Sequence, residues 1–342
     1  MGLLKVKGTL DLSQFWPGGQ SDADTAHVLL KPNAFKFQEH PGAPFKGTHV
    51  FDAAKVKGKF GTKPAIDKKN RITIRFQGID ATELHFSASP VNKKLKAQMT
   101  PAQLAKLKQL NKNYRQLFGE TAPVKLHEFL AGPGQAQLPC TVTTAVSSPN
   151  DVFDTYGRFV GDILVKIGGQ EVNVNHWLVE QGWAFPTFYA SMSNDEIQVL
   201  LTAAAKGRKK TGRAEKSLQK VVGTLDKTLV FRGKGAAFDA AKDKGPALMP
   251  KLFRRLCTFT VHKGAGVVTG NLHNFIKNSK PADDCFLTND FLEQGVTAAP
   301  VHLLSEFVGN DGKITKEPQE LVFRENASTL VGPDGKPITT GF

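Results

Sequence analysis

The chain has 342 residues and carries 45 lysines and arginines against 31 aspartates and glutamates, a formal net charge of +14. Its 40% hydrophobic and 22% charged content is that of a globular protein, long enough for one large or two ordinary domains, and excludes collagen-like and wholly disordered chains. Cys140, Cys257 and Cys285 are isolated in sequence, so no zinc-ligand spacing exists, and their odd number argues against a disulfide framework while allowing one bridge.

Met1 to Leu10 holds no apolar core of signal-peptide length, and no window approaches a membrane span. The expectation is a soluble protein, cytoplasmic or a mature secreted form, with no membrane partner. The excess of positive charge speaks about partners, not fold. It suits polyanions, and it also suits plain solubility.

Residues 3 to 12 alternate polar and apolar and predict a strand; a Pro17–Gly19 turn follows. Ser21-Asp22-Ala23-Asp24-Thr25 precedes an apolar strand from Ala26 to Leu30. Residues 31 to 70 are rich in Gly, Pro and Lys and read as a long hairpin insertion with strand-like pieces such as His49-Val50-Phe51. Its tip is basic, with Lys55, Lys57, Lys59, Lys63, Lys68 and Lys69. The run from Arg71 to Asp80 is a clean strand, with Ile72, Ile74 and Phe76 alternating against Arg71, Thr73 and Arg75.

Residues 87 to 100 read as a polar loop. Thr100-Pro101 then opens a helix that the spacing carries to about Phe118, with Leu104, Leu107 and Leu110 on one side. A second helix is expected over Ala122 to Leu130, stopped by Gly132-Pro133-Gly134, and a strand over 138 to 146. Phe159–Val165 and Gln170–Val174 form a hairpin around Gly168-Gly169. Asn175 to Gln181 is a short helix capped by Gly182. Ser193-Asn194-Asp195-Glu196 opens another helix. It leads to the basic run Lys206, Arg208, Lys209, Lys210 and Arg213, which reads either as a solvated helix end or as a phosphate-tracking patch. Near Gly223 the texture changes, and a domain boundary is expected there. Beyond it, Leu256 to Val261 reads as a strand, Ala299 to Phe307 as a short helix and Leu321-Val322-Phe323 as a strand. Phe253, Arg254 and Arg255 make a basic-aromatic spot.

Asp24 ends a turn, Asp80 ends the Arg75 strand, and Glu83 follows three residues on. Hard divalent cations want such oxygens. Strand alternation puts Arg75 and Asp80 on opposite faces, so both reach one site only if the chain bends at Gly78. A second cluster, Asp154-Thr155-Tyr156-Gly157-Arg158, sets an arginine fork beside a turn.

The order of these pieces is more specific than any one of them. Asp-x-Asp-Thr is followed by an Arg strand with Gly-Ile-Asp-x-x-Glu, then Phe-Gly-Glu-x-Ala, Asp-x-Tyr-Gly-Arg, Val-Asn-x-x-Leu-Val-x-x-Gly-x-Ala and an alanine-rich basic helix. This series resembles the staphylococcal nuclease (thermonuclease) family over roughly residues 5 to 215, with insertions at 31–70, 87–117 and 146–152. The resemblance implies an α+β chain: an OB-fold-like five-stranded β-barrel with about three helices in residues 1–223, plus a smaller mixed α/β domain of unassigned role in 224–342. It implies calcium, held by Asp24, Asp80 and the Ala81 backbone carbonyl, with Asp22 in the outer shell. It implies Glu83 as general base or water-orienting group, and Arg75 and Arg158 as phosphate-binding arginines. Phe188, Tyr189 and Tyr156, with Lys206, Arg208 and Lys209, complete the expected nucleic-acid contacts, since aromatics stack on unpaired bases.

The function implied is a calcium-dependent nuclease that hydrolyses phosphodiester bonds of single-stranded or denatured DNA and RNA with little sequence preference, leaving 3′-phosphates and needing no organic cofactor. The alternatives are a non-catalytic OB-type module that binds nucleic acid or protein, and a nuclease restricted to a special substrate by the 87–117 insertion and the C-terminal region.

Overall fold

The computed structural model describes residues 1–48, 50, 57–58, 61–62, 66–132, 134–154 and 156–324. Lys55, Lys59 and Lys63 of the expected basic tip, His49 and Phe51, Pro133, Thr155 and residues 325–342 lie outside the described residues.

β1 (Gly2–Asp11) buries every second residue, among them Leu4, Val6 and Leu10. The first half of β2 (Thr25–Gln38) does the same with Ala26, Val28 and Leu30, and the alternation stops at Lys31. β3 (Arg71–Phe76) buries Ile72, Ile74 and Phe76 and shows Arg71, Thr73 and Arg75 on its other face. The predicted period-2 pattern is therefore the pattern observed. The chain then turns at Gln77-Gly78 into β4 (Ile79–Ala81). Gly78 has φ of +71°, a conformation that favours glycine, while a Cβ there would meet only the movable tips of Leu200 and Met192.

Two helices occupy the insertion that follows. α1 (Lys93–Ala97), capped by the Asn92 side chain, lies where a polar loop was expected. α2 (Pro101–Leu110) begins with the Thr100 capping box. It ends eight residues before Phe118, the expected end. The reason is local: Asn111 Oδ1 accepts from the Ala88 N–H at 2.8 Å, and Tyr114 pairs with Phe86 through both backbone groups, so the segment after Leu110 is pinned as an extended strap. α3 (Thr121–Leu130) follows.

β5 (Gln137–Val146) and β6 (Phe159–Ile167) complete a circuit. β1 pairs antiparallel with β2 and with β5, β5 with β6, and β3 with β2, while β6 runs parallel to β3. Five strands thus close a ring of hydrogen bonds, and their inward residues join one apolar cluster. β7 (Gln170–Asn173) makes the expected hairpin with β6. α4 (Val174–Glu180), β8 (Ala184–Pro186), β9 (Phe188–Tyr189) and α5 (Asn194–Gly207, opened by the Ser193 capping box) follow, and α4 and α5 pack together.

The remaining chain is joined to this ring by shared structure. α6 (Pro250–Gly264) packs on α2 and on α7 (Leu272–Lys277). It replaces the strand expected at Leu256–Val261: Leu252, Phe253, Leu256, Cys257 and Val261 are buried at helical spacing, and β-branched Thr258 and Val261 do not override a helix whose apolar stripe is covered. β10 (Asp284–Leu287), α8 (Thr288–Gln294), β11 (His302–Leu303) and β12 (Leu321–Phe323) follow, and two-residue strands at Lys46–Gly47, Lys57–Gly58 and Gly61–Thr62 lie in the 31–70 insertion. A strand and a 3-10 turn over Leu304–Phe307 stand where a short helix was expected from Ala299. β12 pairs antiparallel with β10 and parallel with β9, so residues on the two sides of 223 lie in one sheet.

A second joint is ionic. Asp243 is fully buried, and its carboxylate pairs with Arg115 and accepts from the backbone N–H of Glu120 (3.0 Å) and Thr121 (2.6 Å). It caps α3, whose own N-cap residue Glu120 makes no side-chain cap bond. Among the described residues all three cysteines are unpaired and buried, and no helix is long and apolar enough to cross a membrane.

Candidate nucleic-acid site

Register brings the acidic residues together. Thr25 faces Arg75 across the β2–β3 ladder, so Asp24 stands at the end of the Arg75 strand. The turn at Gly78 returns Asp80 to that place, and β8 fixes it by pairing Phe185 with Asp80. Arg75 then binds both aspartates, with Nη1 at 2.7 Å from Asp24 Oδ2 and Nη2 at 2.8 Å from Asp80 Oδ1. The Ala81 N–H donates to Asp24 Oδ2 at 2.8 Å. Ala81 is thus tied to Asp24 through its amide.

The Glu83 N–H donates to Gln116 Oε1 at 3.0 Å, and Gln116 Nε2 donates to the Leu248 carbonyl at 2.7 Å. Glu83 is therefore positioned by the strap after α2 and, through Gln116, by the segment leading into α6. Asp22 lies in the same neighbourhood. Its Oδ1 is buried with no hydrogen-bond partner among the described residues, and burial, then Asp24 and Glu83, push its carboxyl well above the usual range.

Arg254, which the sequence places only in a basic-aromatic spot, completes the cluster. Its Nη2 lies 2.8 Å from Asp80 Oδ2, its Nη1 lies 3.3 Å from Asp80 Oδ1, and the same Nη1 is paired with Glu83. Burial acts against the charge on Arg254, and Asp80 and Glu83 more than offset it, so the guanidinium stays protonated. Burial also works against ionisation of Asp80, but Arg254 and Arg75 outweigh it and hold that carboxylate low. Glu83 goes the other way: burial dominates, Arg254 offsets part of it, and its carboxyl is pushed up to about 7.

A cleft opens beside this cluster. Arg75, Tyr156, Arg158, Tyr189, Lys251 and Arg324 line it. Arg158 is held by Asp154 through Nε at 2.7 Å and lies 5.3 Å from the centre of the Tyr156 ring, which is 55% exposed. Tyr189 is half-buried and tilted against Phe323 at 6.5 Å between centroids. The cleft presents cations and phenol rings together, the combination suited to a phosphate backbone with unpaired bases.

Residues 73–212 match the family model of the staphylococcal nuclease homologues. That segment of nuclease-homologue sequence holds Arg75, Asp80, Ala81, Glu83, Tyr156, Arg158 and Tyr189. Asp22 and Asp24 precede it, and Lys251, Arg254 and Arg324 follow it. No curated protein matches the chain.

The expected site residues divide in three. Asp22, Asp24, Arg75, Asp80, Ala81 and Glu83 converge. Arg158, Tyr156 and Tyr189 stand in the adjoining cleft. Phe188, Lys206, Arg208 and Lys209 are not in the cleft. Phe188 is fully buried: pairing with β12 turns it into the core and leaves Tyr189 toward the cleft. Lys206 pairs with Glu180 at 3.3 Å, and Arg208 pairs with Glu215 and Glu317 at 3.1 and 2.5 Å. Those charges fasten α5 to its neighbours. Lys209 follows in the turn after α5, away from the cleft lining.

The cations that sequence reasoning missed are Arg254, Lys251 and Arg324. Lys251 and Arg254 share α6 at a spacing of three, which places both on one face of a helix, and the strand expected from Leu256 left that helix unseen.

Calcium, the ion implied by the resemblance, does not fit the carboxylates as they are arranged. Asp24 Oδ2 already faces Arg75 and the Ala81 amide, and Asp80 and Glu83 face Arg75 and Arg254. Among the described residues no three acidic, histidine or cysteine side chains converge on a point that suits an ion.

Proposed function

We propose that the chain is a phosphodiesterase acting on single-stranded or denatured DNA and RNA, built on an OB-like barrel. The observation that carries this reading is Glu83: a buried carboxyl poised at about 7, beside the cationic, aromatic cleft and the guanidiniums of Arg75 and Arg254. A general base works best when its pKa lies near the operating pH. Glu83 takes the proton of the attacking water. Arg75, Arg158 and Arg254 are the groups available to stabilise the charge that gathers on the phosphate oxygens. Tyr156 and Tyr189 stack on flanking bases, so recognition runs through backbone and base faces and carries little sequence preference.

The test is release of short fragments from denatured DNA by wild type and Glu83→Gln, each in calcium and in excess chelator. Cleavage that collapses in the variant supports the role of Glu83. Tight, salt-sensitive binding with no cleavage in any condition removes the enzyme reading.

One observation favours a second reading, a binding module without catalysis. Asp24, Asp80 and Glu83 are all neutralised by arginines of the chain itself, a state in which the cleft binds and the acidic cluster serves only to hold Arg75 and Arg254 in place.

A further inference from the structure

The acidic cluster needs cations, and the chain supplies them from two distant places. Asp24, Asp80 and Glu83 are buried and paired with Arg75 or Arg254, and the half-buried Asp22 stands beside them. Asp24 is 6% exposed, Asp80 1% and Glu83 8%. Carboxylates so far from water demand compensating charge. Arg75 reaches Asp24 and one oxygen of Asp80. Glu83 and the second oxygen of Asp80 are met by Arg254.

Arg254 is held for this task. Its neighbours on α6, Lys251 and Arg255, both bind Asp283, Lys251 at 3.6 Å and Arg255 through two bonds of 2.6 and 2.7 Å. Thr258 Oγ1 donates to the Arg254 carbonyl at 3.0 Å. Asp283 thus anchors α6 through the residues flanking the guanidinium, the Thr258 bond lies within the helix itself, and the planar fork spans the two carboxylates as a point charge does not.

The geometry points to Arg254 as the resident cation of this site: it sits between Asp80 and Glu83, and a divalent ion gains those carboxylates only by displacing it. Occupancy of the cluster by Arg254 does not depend on whether phosphodiester bonds are cut. It also gives the C-terminal part of the chain a function, since α6 lies beyond the segment shared with the nuclease homologues.

Calcium binding to the full chain, followed by isothermal titration calorimetry, tests it without reference to cleavage. Arg254→Met removes the charge while keeping most of the volume. It is expected to bind calcium at least about tenfold more tightly than wild type, because a divalent ion no longer competes with a fixed charge for two buried carboxylates. Adding Asp80→Asn to that variant should abolish the gain. Arg254→Lys, which keeps a cation on α6, should bind no more tightly than about threefold over wild type. The proposal is overturned by wild-type affinity equal to or above that of Arg254→Met, by a gain that survives Asp80→Asn, or by absence of binding in every variant. If Arg254→Met is unfolded without calcium, circular dichroism with added calcium decides: recovery of the folded spectrum supports the proposal, and its failure refutes it.

Discussion

Replacing Glu83 by glutamine should make the protein relatively more stable as pH rises. The Glu83 carboxyl is held at about 7 in the fold against 4.5 for an ordinary glutamate, with burial as the main cause and Arg254 offsetting part of it. The sign follows from proton binding. A carboxyl whose value is raised by folding keeps its proton in the folded state while the unfolded chain has already released its own. The stability gained by holding that proton is full below 4.5 and is lost as pH climbs, with the loss complete above 7. At about 1.4 kcal/mol per pH unit, the whole window is worth about 3 kcal/mol, most of it falling between about pH 5 and pH 8. Glutamine cannot ionise, so it escapes this loss. Any fixed cost of the substitution, including its weaker bond to Arg254, cancels when two pH values are compared. Urea unfolding of both proteins at each pH should therefore show the stability difference moving by about 2–3 kcal/mol in favour of the variant. A difference that stays constant, or moves toward wild type, would show that Arg254 outweighs burial and that Glu83 rests ionised. The same titration sets the rate: cleavage should rise with pH through about 7 as the base loses its proton, and level off above.

Other expectations follow from single contacts. Asp243→Ala leaves Arg115 and the first amides of α3 without their buried partner; it should cost about 3–5 kcal/mol in urea unfolding, and a loss under about 1 kcal/mol would deny that joint its role. Tyr156→Ala should weaken binding of a short DNA single strand by about 1–3 kcal/mol in fluorescence anisotropy, whereas Phe188→Leu should leave that affinity unchanged, because Phe188 has no exposed surface. Arg158→Ala should lower the slope of log affinity against log salt by about 0.7; an unchanged slope would remove Arg158 from the phosphate path. Burial pushes the Cys140 and Cys285 thiols up to about 12 and Cys257 higher still, so a disulfide reagent at neutral pH should label none of them in the folded protein and all after unfolding.

The legible part of this fold is local. The alternation of Ile72, Ile74 and Phe76, the Thr100 and Ser193 caps and the turn glycines at Gly78 and Gly182 are signals written within a few residues, and the structure uses each as such. The convergence of Asp24, Arg75, Asp80 and Glu83 was legible from motif order, because a glycine was available where the strand had to bend. The basic run after α5 was misleading for a physical reason: Lys206 and Arg208 have acidic partners at Glu180, Glu215 and Glu317, up to 109 residues away, and sequence proximity does not show a partner at such distance. Phe188 and Tyr189 were inseparable in sequence, since only the pairing of β9 with β12 decides which ring is covered.

Arg254 was hidden twice over. Its helix carries Thr258, Thr260 and Val261, which favour strands when read alone, and its partners Asp80 and Glu83 lie 174 and 171 residues away. The same distance explains what the arrangement achieves. A buried acidic cluster assembled from one part of the chain and neutralised from another cannot settle until both parts have folded, because each is left with uncompensated charge without the other. The Arg115–Asp243 pair repeats that logic, joining the strap after α2 to the segment before α6, and the β9–β12 ladder repeats it in backbone hydrogen bonds. With three such joints, the C-terminal residues form one wall of the cleft through Lys251 and Arg324 and supply half the positive charge that reaches the acids. On this arrangement, a chain cut after the nuclease-homologue segment would keep Arg75 on Asp24 and Asp80 but leave Glu83 without its guanidinium partner.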